Sequence, residues 1–388
     1  MNKSKEYIVF GSPHIGKEEI TEMVKTLKSG WIGTGPKVAK FEWQISEYVG
    51  AKYGLALNSC TAGLHLSLLV CGIGPGDEVI TTPLTFCATV NTIIHCGAKP
   101  VFVDVDKKTM NIDAGRIEKA ITKRTKAILP VHLAGRPCEM DEIMKIAKKH
   151  KLYVIEDAAQ ALGSEYKGKK IGSIGDLTCF SFYVTKNIIT GEGGMVTTNN
   201  KEFADKIKIY ALHGMSKDAW KRYSDDGYKH YQVVCPGYKY NMTDMQASLG
   251  IHQLKRIAKL DKIRQKIWDL YNAAFKDLPI ELPAPFKRGD HHNKHLYTLL
   301  IDKNKCGISR DVFMLELHRR GIGTGVHFIP VHLHEYYREH FGFSVGDYPN
   351  AEYIGERTVS IPLSAKLSQA DVNRVIKAVR EVILKNKN

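Results

Sequence analysis

The sequence has no long hydrophobic run. No stretch approaches the roughly 18 uncharged apolar residues that a membrane-spanning helix requires. The N-terminus, MNKSKEYIVFGSPHIGKEE, contains neither the apolar core nor the cleavage site of a secretory signal. We therefore expect neither secretion nor insertion into a membrane. Internal repeats and low-complexity tracts are also absent, which disfavours solenoids and disordered chains.

Patterned cysteines are missing as well. The chain has eight cysteines, and no two of them form a CxxC pair. Zinc sites and disulfide scaffolds need closer, regular spacing. Several of these cysteines lie inside apolar runs, such as Cys179 in LTCFSF. Free, buried thiols in a reducing compartment are the better interpretation, and the sequence predicts a cytoplasmic protein.

Acidic residues are in deficit. The chain has 41 Asp and Glu against 56 Lys and Arg, a formal net charge of +15. Such an excess indicates association with polyanions or phosphorylated molecules but does not determine the fold. Nucleic acid, a membrane surface and an anionic metabolite all remain possible at this point. The 388 residues, 43% of them hydrophobic, suffice for two globular domains.

Strand-like and helix-like segments alternate over the first two thirds of the chain. The apolar runs predicted as strands are Tyr53–Asn58, Glu78–Pro83, Lys99–Asp106, Ala127–Gly135, Leu152–Ala161 and Gly193–Thr198. Helical patterns between them predict an α/β fold with a mostly parallel central sheet flanked by helices. After residue 240 the pattern becomes one or two long helices and then a smaller α+β region. We predict a large domain over residues 1–255 and a small C-terminal domain over 256–388.

Three predicted strands end in residues that suit a ligand site. The turn SCTAG links a strand to a helix N-terminus, where backbone amides favour an anion, although a simple N-cap would use the same residues. Asp157 ends an apolar strand and is either a helix cap or a carboxylate with a partner. Lys186 precedes the loop GEGG and is either a surface lysine or an amine that forms Schiff bases.

Together these three residue types match the chemistry of pyridoxal 5′-phosphate (PLP). The lysine binds the aldehyde, the acid keeps the pyridine nitrogen protonated so that the ring withdraws electrons, and the anion site holds the phosphate. Ligands of open α/β sheets bind beyond the carboxyl ends of the strands, where all three sites are predicted to lie.

The sequence resembles the DegT/DnrJ/EryC1/StrS family of sugar aminotransferases over nearly its whole length. The resemblance rests on segments in matching order, among them SGWIGTGPKVAKFE, NSCTAGLHL, TTPLTFCATVN, IEDAAQALGSEYKG, GSIGDLTCFSF, TKNIITGEGGMV, PGYKYNMTDMQASLG and GIGTGVHF. It implies the fold-type I architecture of aspartate aminotransferase. YKYN and CGISRD…GIGTGVHF are most similar to the branch acting on UDP-linked 4-keto sugars, which includes 4-amino-4-deoxy-L-arabinose synthases.

The resemblance also assigns roles to single residues. Lys186 would be the Schiff-base lysine and proton carrier, and Asp157 would pair with the pyridinium nitrogen. Further cofactor contacts would come from Gln160 at the ring hydroxyl, Phe86 stacked on the ring, and the Thr61 and Ala62 amides with the Ser181 hydroxyl at the phosphate. Asn241 would reach the phosphate of the neighbouring subunit, which implies a homodimer with shared sites. Without the resemblance, Phe86 would be interpreted as a core residue, and Asn241 could equally be the cap of the helix that follows it.

Substrate contacts follow from the same resemblance, at His327, Tyr183 and Thr34. Many family members have His where Tyr183 stands, and many have Asn and Arg at the positions of Lys239 and Asn241. The second difference matches the UDP-4-keto branch. Members that replace the lysine with His are dehydratases, so Lys186 favours transamination.

The segment HFIPVHLH has a spacing that metal ligands sometimes adopt, but we predict no metal site there. The expected activity is therefore transfer of an amino group from L-glutamate to a nucleotide-linked keto sugar. PLP would serve as cofactor and pyridoxamine 5′-phosphate (PMP) as its intermediate form. A 3-keto sugar aminotransferase of the same family is the first alternative. A basic regulatory protein that binds nucleic acid is a remote second, since the positive charge is spread along the chain and no helix-turn-helix is evident.

Overall fold

The computed structural model describes residues 7–216 and 231–386. Its helices are α1 Lys17–Lys28, α2 Pro36–Val49, α3 Cys60–Val70, α4 Cys87–His95, α5 Ala114–Ile117, α6 Met140–His150, α7 Lys201–Ala211, α8 Asp244–Lys255, α9 Ile257–Phe275, α10 Lys303–Cys306, α11 Arg310–Arg319, α12 Glu335–Phe341, α13 Pro349–Arg357 and α14 Gln369–Asn386. Its strands are β1 Tyr53–Leu57, β2 Glu78–Thr81, β3 Lys99–Phe102, β4 Thr125–Ile128, β5 Tyr153–Asp157, β6 Glu165–Tyr166, β7 Lys169–Lys170, β8 Leu177–Ser181, β9 Gly194–Thr198, β10 Tyr297–Leu300 and β11 Thr358–Ile361.

Seven of the described strands form the central sheet, in the order β1-β9-β8-β5-β4-β2-β3. The pairs β2–β3, β2–β4, β4–β5 and β5–β8 are parallel, whereas β9 is antiparallel to both β1 and β8. The predicted α/β architecture with a mostly parallel sheet is confirmed. Six strands therefore run in one direction, and their carboxyl ends meet at one edge.

Apolar side chains cover the sheet on both faces because successive residues of a strand point to opposite sides. In β5, Val154 packs with Ile143 of α6 in one core, and Ile155 packs with Leu64 of α3 in the other. Nearly continuous apolar strands are typical of a sheet enclosed in this way. The helix that carries Leu64, α3, is capped by Ser59, whose hydroxyl accepts a hydrogen bond from the Ala62 amide.

A separate core lies in the C-terminal part. Trp268, Tyr271 and Phe275 on α9 pack there against Tyr297 of the β10–β11 pair. The predicted division after residue 255 falls at the junction between α8 and α9. Ile8 also belongs to this core and pairs with Ile322, so the N-terminal segment packs with residues that follow it by more than 300 positions.

Several strands are shorter than predicted. Lys99–Asp106 is a strand only to Phe102, and Ala127–Gly135 only to Ile128. In the first, the Asp104 carboxylate accepts a hydrogen bond from the next backbone amide, a local bond that competes with the sheet. In the second, Pro130 has no amide proton to donate.

The long helical region after residue 240 is two helices, α8 and α9, separated at Arg256. In the part of the chain that the structure describes, no helix is long and apolar enough to cross a membrane.

Candidate active site

A cavity of about 520 Å³ opens at the carboxyl edge of the central sheet. It lies beyond the ends of β4, β5 and β8, where ligands of α/β sheets bind. Eight predicted site residues line this cavity: Thr61, Phe86, Asp157, Gln160, Ser181, Tyr183, Lys186 and His327. Residues from distant parts of the sequence are thus brought together because the strands that precede them are neighbours in the sheet.

Asp157 is the last residue of β5 and is 6% exposed. Its Oδ2 accepts a hydrogen bond from the Thr89 hydroxyl at 2.7 Å, and its Oδ1 accepts one from the Ala159 amide at 3.1 Å. Burial raises the pKa of this carboxyl, and the two hydrogen bonds and the nearby Lys186 oppose that effect. A cationic ligand that displaces water from the cavity would hold Asp157 in its ionised form.

Lys186 lies in the turn after β8, with its backbone amide bonded to the Tyr183 carbonyl at 2.9 Å. The loss of hydration lowers the pKa of its amine, although Cys60 and Asp157 partly oppose this. A larger fraction of the amine is therefore unprotonated and nucleophilic than in an ordinary lysine. This is the property that Schiff-base formation needs.

The predicted anion site lies at the start of α3. The first amides of a helix have no intrahelical acceptor, and Thr61 is among them. The Ala62 amide instead donates to the Ser59 hydroxyl at 3.0 Å, and Ala62 is not part of the cavity wall. Gly194 on β9 lets the two backbones approach, since a side chain there would meet the Ser59 carbonyl carbon at 2.3 Å.

Two more predicted residues occupy the wall. Phe86 is 58% exposed, so it presents a flat apolar face to the cavity and is not a core residue. Its nearest aromatic neighbour is Phe328, with ring centroids 5.9 Å apart. Gln160 is held by a hydrogen bond from the Ala134 amide to its Oε1 at 2.6 Å.

The predicted substrate residues differ in placement. His327 stacks on Phe10 and contacts the Ser360 hydroxyl at 2.9 Å, and burial lowers the pKa of its imidazole to about 4. Tyr183 is 43% exposed at the cavity. Thr34 lies elsewhere, in a second cavity of about 440 Å³.

Asn241 lines the second cavity together with Thr34. Its Nδ2 donates to the Thr34 hydroxyl at 2.7 Å, while its Oδ1 is buried without a hydrogen-bond partner. Asn241 is therefore separate from the cofactor cavity of its own chain. It is not the helix cap, because the Thr243 hydroxyl caps α8.

Seven polar residues of the described wall are not among the predicted site residues: Ser59, Thr85, Thr89, His132, Thr185, Glu192 and His295. His132 is completely buried and its Nε2 contacts the Glu156 carboxylate at 2.8 Å. Since its Nδ1 accepts a hydrogen bond from the Cys138 amide, Nε2 must carry the proton. The only signal in the sequence that points to Thr89 is its position four residues after another threonine, Thr85. In the structure the two hydroxyls are hydrogen-bonded at 2.7 Å.

One histidine of the HFIPVHLH segment already has an acidic partner. His332 contacts the Glu352 carboxylate at 3.0 Å. Within residues 7–216 and 231–386, no three His, Cys, Asp or Glu side chains are grouped closely enough to hold a metal ion.

The cavity fits PLP on chemical grounds. A buried carboxylate without a cationic hydrogen-bond partner suits a protonated ring nitrogen. The Lys186 amine of lowered pKa suits the aldehyde, the exposed Phe86 face suits the ring, and the start of α3 suits the phosphate.

Comparison with known proteins supports this interpretation. The chain is 52% identical to the spore coat polysaccharide biosynthesis protein SpsC of Bacillus subtilis over 385 residues, 99% of each chain. It is 57% identical over 375 residues, 97% of each chain, to an uncharacterized protein of Methanocaldococcus jannaschii.

Solved structures of aminotransferases are also similar to this chain over nearly its whole length. Spr1654 from Streptococcus pneumoniae, in its PMP form, superposes with a TM-score of 0.92 at 38% identity, covering 98% of this chain and 100% of that one. PseC of Helicobacter pylori, an aminotransferase involved in pseudoaminic acid biosynthesis, gives a TM-score of 0.91 at 31% identity, with the same coverage. Residues 13–380 match the family that the sequence resembles. The chain belongs to the DegT/DnrJ/EryC1/StrS aminotransferase family and is a PLP-dependent aminotransferase.

Proposed function

We propose that this enzyme transfers the amino group of L-glutamate to C4 of a UDP-linked 4-keto sugar, with 2-oxoglutarate as co-product. The 4-amino sugar would enter a cell-surface polysaccharide, lipopolysaccharide, glycan or antibiotic. The observation that carries the proposal is the presence of Lys186 and Asp157 in one cavity of about 520 Å³. When bound, PLP supplies an electron sink for the carbon that loses or gains a proton.

The chain's own residues would divide the work in that cavity. Lys186 would bind the cofactor and then carry the proton between the cofactor and the substrate carbon. Asp157 would stay ionised beside the protonated ring nitrogen, and Gln160 would hold the ring hydroxyl. Thr61, Ala62 and Ser181 would hold the phosphate, with Ala62 acting once its amide is released from Ser59.

Two observations support a sugar as the amino acceptor. SpsC is a spore coat polysaccharide biosynthesis protein, and PseC is an aminotransferase involved in the biosynthesis of pseudoaminic acid. The exposed side chain of Tyr183 at the cavity suits the apolar face of a pyranose. Lys239 and Asn241, where many relatives have Asn and Arg, favour the UDP-4-keto branch over the 3-keto alternative.

The charge of the cavity supports a homodimer with shared sites. Among the described residues of its wall, Lys186 is the sole lysine or arginine. A cofactor phosphate and a nucleotide diphosphate together need more positive groups and donors. We propose that a second copy supplies part of them, including the Asn241 Nδ2, which carries two protons and donates one of them to the Thr34 hydroxyl of its own chain.

We also propose that the enzyme acts in the cytoplasm. All eight cysteines lie in the described part of the chain, and none forms a disulfide. This agrees with a reducing compartment.

The test is to incubate the holoenzyme with L-glutamate and, separately, UDP-4-keto, UDP-3-keto and dTDP-linked keto sugars. We expect 2-oxoglutarate release with the UDP-4-keto sugar and an amine at C4 in the product NMR spectrum. Faster turnover of a 3-keto sugar would instead support the alternative regiochemistry.

Borohydride trapping tests the assignment of the lysine independently. The reduced cofactor should appear by mass spectrometry on the peptide that contains Lys186, and Lys186→Ala should abolish the label. Lys170→Ala is the matched control and should leave the label in place, because Lys170 lies outside the cavity and pairs with Glu165. A label on another lysine, or salt-dependent DNA binding without any PLP requirement, would contradict the proposal.

A further inference from the structure

His295 is a buried imidazole beside Lys186 that neither the sequence patterns nor the assigned roles include. It lies two positions before β10 and is 4% exposed. His295 and Lys186 together line the cofactor cavity and also the smaller space of about 20 Å³ behind it. The imidazole therefore belongs to the wall that surrounds the reacting amine.

The protonated nitrogen of this imidazole is fixed by its neighbours. The Asn187 Nδ2 donates to the Asn293 carbonyl at 2.8 Å, which orients the amide so that its Oδ1 is the free acceptor. The His295 Nδ1 lies 3.0 Å from that Oδ1. Two lone pairs at that distance would repel each other, so Nδ1 must carry the proton.

The surroundings keep His295 uncharged. Burial lowers the pKa of the imidazole well below its ordinary value, and the positive Lys186 and Arg264 and the neighbouring His327 and His292 act in the same direction. In the neutral ring, one nitrogen has a proton and the other has a lone pair. With Nδ1 bonded to Asn187, the lone pair is on Nε2.

We propose that His295 is a positioning residue for the Schiff-base lysine: its Nε2 accepts a hydrogen bond from the Lys186 amine whenever that amine carries a proton. Asn187, the residue next to Lys186, fixes the tautomer that makes this possible. The hydrogen bond orients the amine in the cavity and stabilises its protonated form. This inference rests on the proposed role of Lys186 as the reacting amine, but it does not depend on the identity of the sugar.

The proton balance between Lys186 and the substrate follows from this arrangement. The imidazole accepts a hydrogen bond without taking the proton, because its own protonation is opposed by Lys186 and Arg264. The proton stays on Lys186 and remains available for transfer to the substrate carbon. Asp157 favours the charged form of Lys186 by its negative charge. Burial raises the pKa of the Cys60 thiol and keeps it uncharged, and burial lowers the pKa of His327 and keeps it neutral.

The experiment measures the pKa of Lys186 in the apoenzyme, without cofactor or sugar. Limiting acetic anhydride is applied across a pH series, and mass spectrometry gives the labelling rate of the Lys186 peptide. His295→Leu removes the acceptor, and the pKa of Lys186 should fall by about one unit because a hydrogen bond to a charged group is lost. His295→Gln offers a donor for Asn187 and an acceptor for Lys186, and should restore most of the difference.

The matched control is His292→Leu. His292 is equally buried and lies in the same segment, but it lines neither space around Lys186. Its replacement should leave the labelling profile of Lys186 unchanged. Equal profiles for His295→Leu and the wild type, or an equal shift in both Leu variants, would overturn the proposal.

A second measurement applies even if His295→Leu does not fold. The ¹⁵N spectrum of the histidine-labelled wild-type apoenzyme should contain a buried imidazole, assigned by its loss in His295→Gln, with a protonated Nδ1 and a bare Nε2. A protonated Nε2 would exclude the hydrogen bond and overturn the proposal. Failure of borohydride to trap the cofactor on Lys186 would instead overturn the proposed function.

Discussion

At the scale of single residues, two threonines determine how Asp157 is held. The hydroxyls of Thr85 and Thr89 lie 2.7 Å apart, and Thr89 continues the chain to the Asp157 carboxylate, also at 2.7 Å. A hydrogen bond to a charged carboxylate stabilises it more than a bond between neutral groups does. Thr89 therefore helps to keep Asp157 ionised where burial alone would favour protonation.

Replacing Thr89 should weaken the cofactor site specifically. In Thr89→Val, Asp157 loses one of its two hydrogen bonds, and we expect kcat/KM to fall about tenfold, as the loss of about 1–2 kcal/mol implies. Steady-state kinetics would measure the fall in kcat/KM. PLP titration of the apoenzyme would measure the affinity of the weakened cofactor site.

Thr92→Val is the matched control for this change. Thr92 is buried on the same helix, but its hydroxyl bonds to the Thr89 carbonyl. It should lower thermal stability without changing PLP affinity. Equal PLP affinities for the two variants would contradict the role of Thr89.

The end of an apolar run makes Asp157 visible in the sequence as the last residue of a strand, whereas Ser181 is assigned only through the family resemblance. The sequence does not predict His295. That residue lies 109 positions after Lys186, and only the packing of the β10 segment against the lysine turn brings the two together. The role of Asn241 at the neighbouring subunit stays a prediction, since within its own chain its Nδ2 bonds to Thr34.

At the scale of elements, the contact between α2 and β1 encloses an acid. Glu42 on α2 accepts a hydrogen bond from the Ala56 amide at 2.9 Å, and burial raises the pKa of its carboxyl from 4.5 to about 7. Between these values the folded chain retains a proton that the unfolded chain has lost. The free energy of unfolding must then decrease as the pH rises through this window.

Glu42→Gln should remove that pH dependence. In wild-type apoenzyme, the raised pKa corresponds to a loss of about 3 kcal/mol of stability between pH 4.5 and pH 7. Denaturant midpoints across this range should fall for the wild type and less for the variant. Glu47→Gln, at an exposed position of the same helix, should behave as the wild type does. Parallel curves for Glu42→Gln and the wild type would contradict the assignment.

The predicted strands coincide with observed strands but extend too far. Apolar residues continue along the chain past the last backbone hydrogen bond that joins each strand to its neighbour. The sequence predicts a mostly parallel sheet but does not identify its one antiparallel strand among those described, β9, whose apolar pattern resembles that of its neighbours. A continuous apolar run indicates that a strand is buried on both faces of the sheet, but it does not indicate the direction of the strand. The TGVHFIP segment, similarly apolar, forms only an isolated bridge between Gly325 and Ser360.

At the scale of the whole molecule, the positive charge has a limited role at the site. The net charge of +15 contrasts with the single lysine, and no arginine, in the part of the cavity wall that the structure describes. Most of the charge therefore lies on the surface, where it favours solubility and the approach of anions.

Mixed dimers would test whether two chains share each site. Lys186→Ala and Asn241→Ala chains should each be impaired alone. If Asn241 serves the partner's site, a mixed dimer has one site in which both residues are intact, and random mixing should restore about a quarter of the wild-type activity. Sites confined to one chain would give no such recovery, and that outcome would contradict the shared arrangement.

The antiparallel strand β9 also sets the order in which the cofactor site can form. Its residue Thr198 pairs with Tyr53 of β1, and its Gly194 packs under the Ser59 turn. During synthesis at about 5–20 residues per second, the strand that supports this turn emerges roughly 10–30 s after β1. Such long-range pairing closes a large loop and is slow. The predicted phosphate-binding turn is therefore completed late, and we expect no capture of PLP there before β9 has joined the sheet.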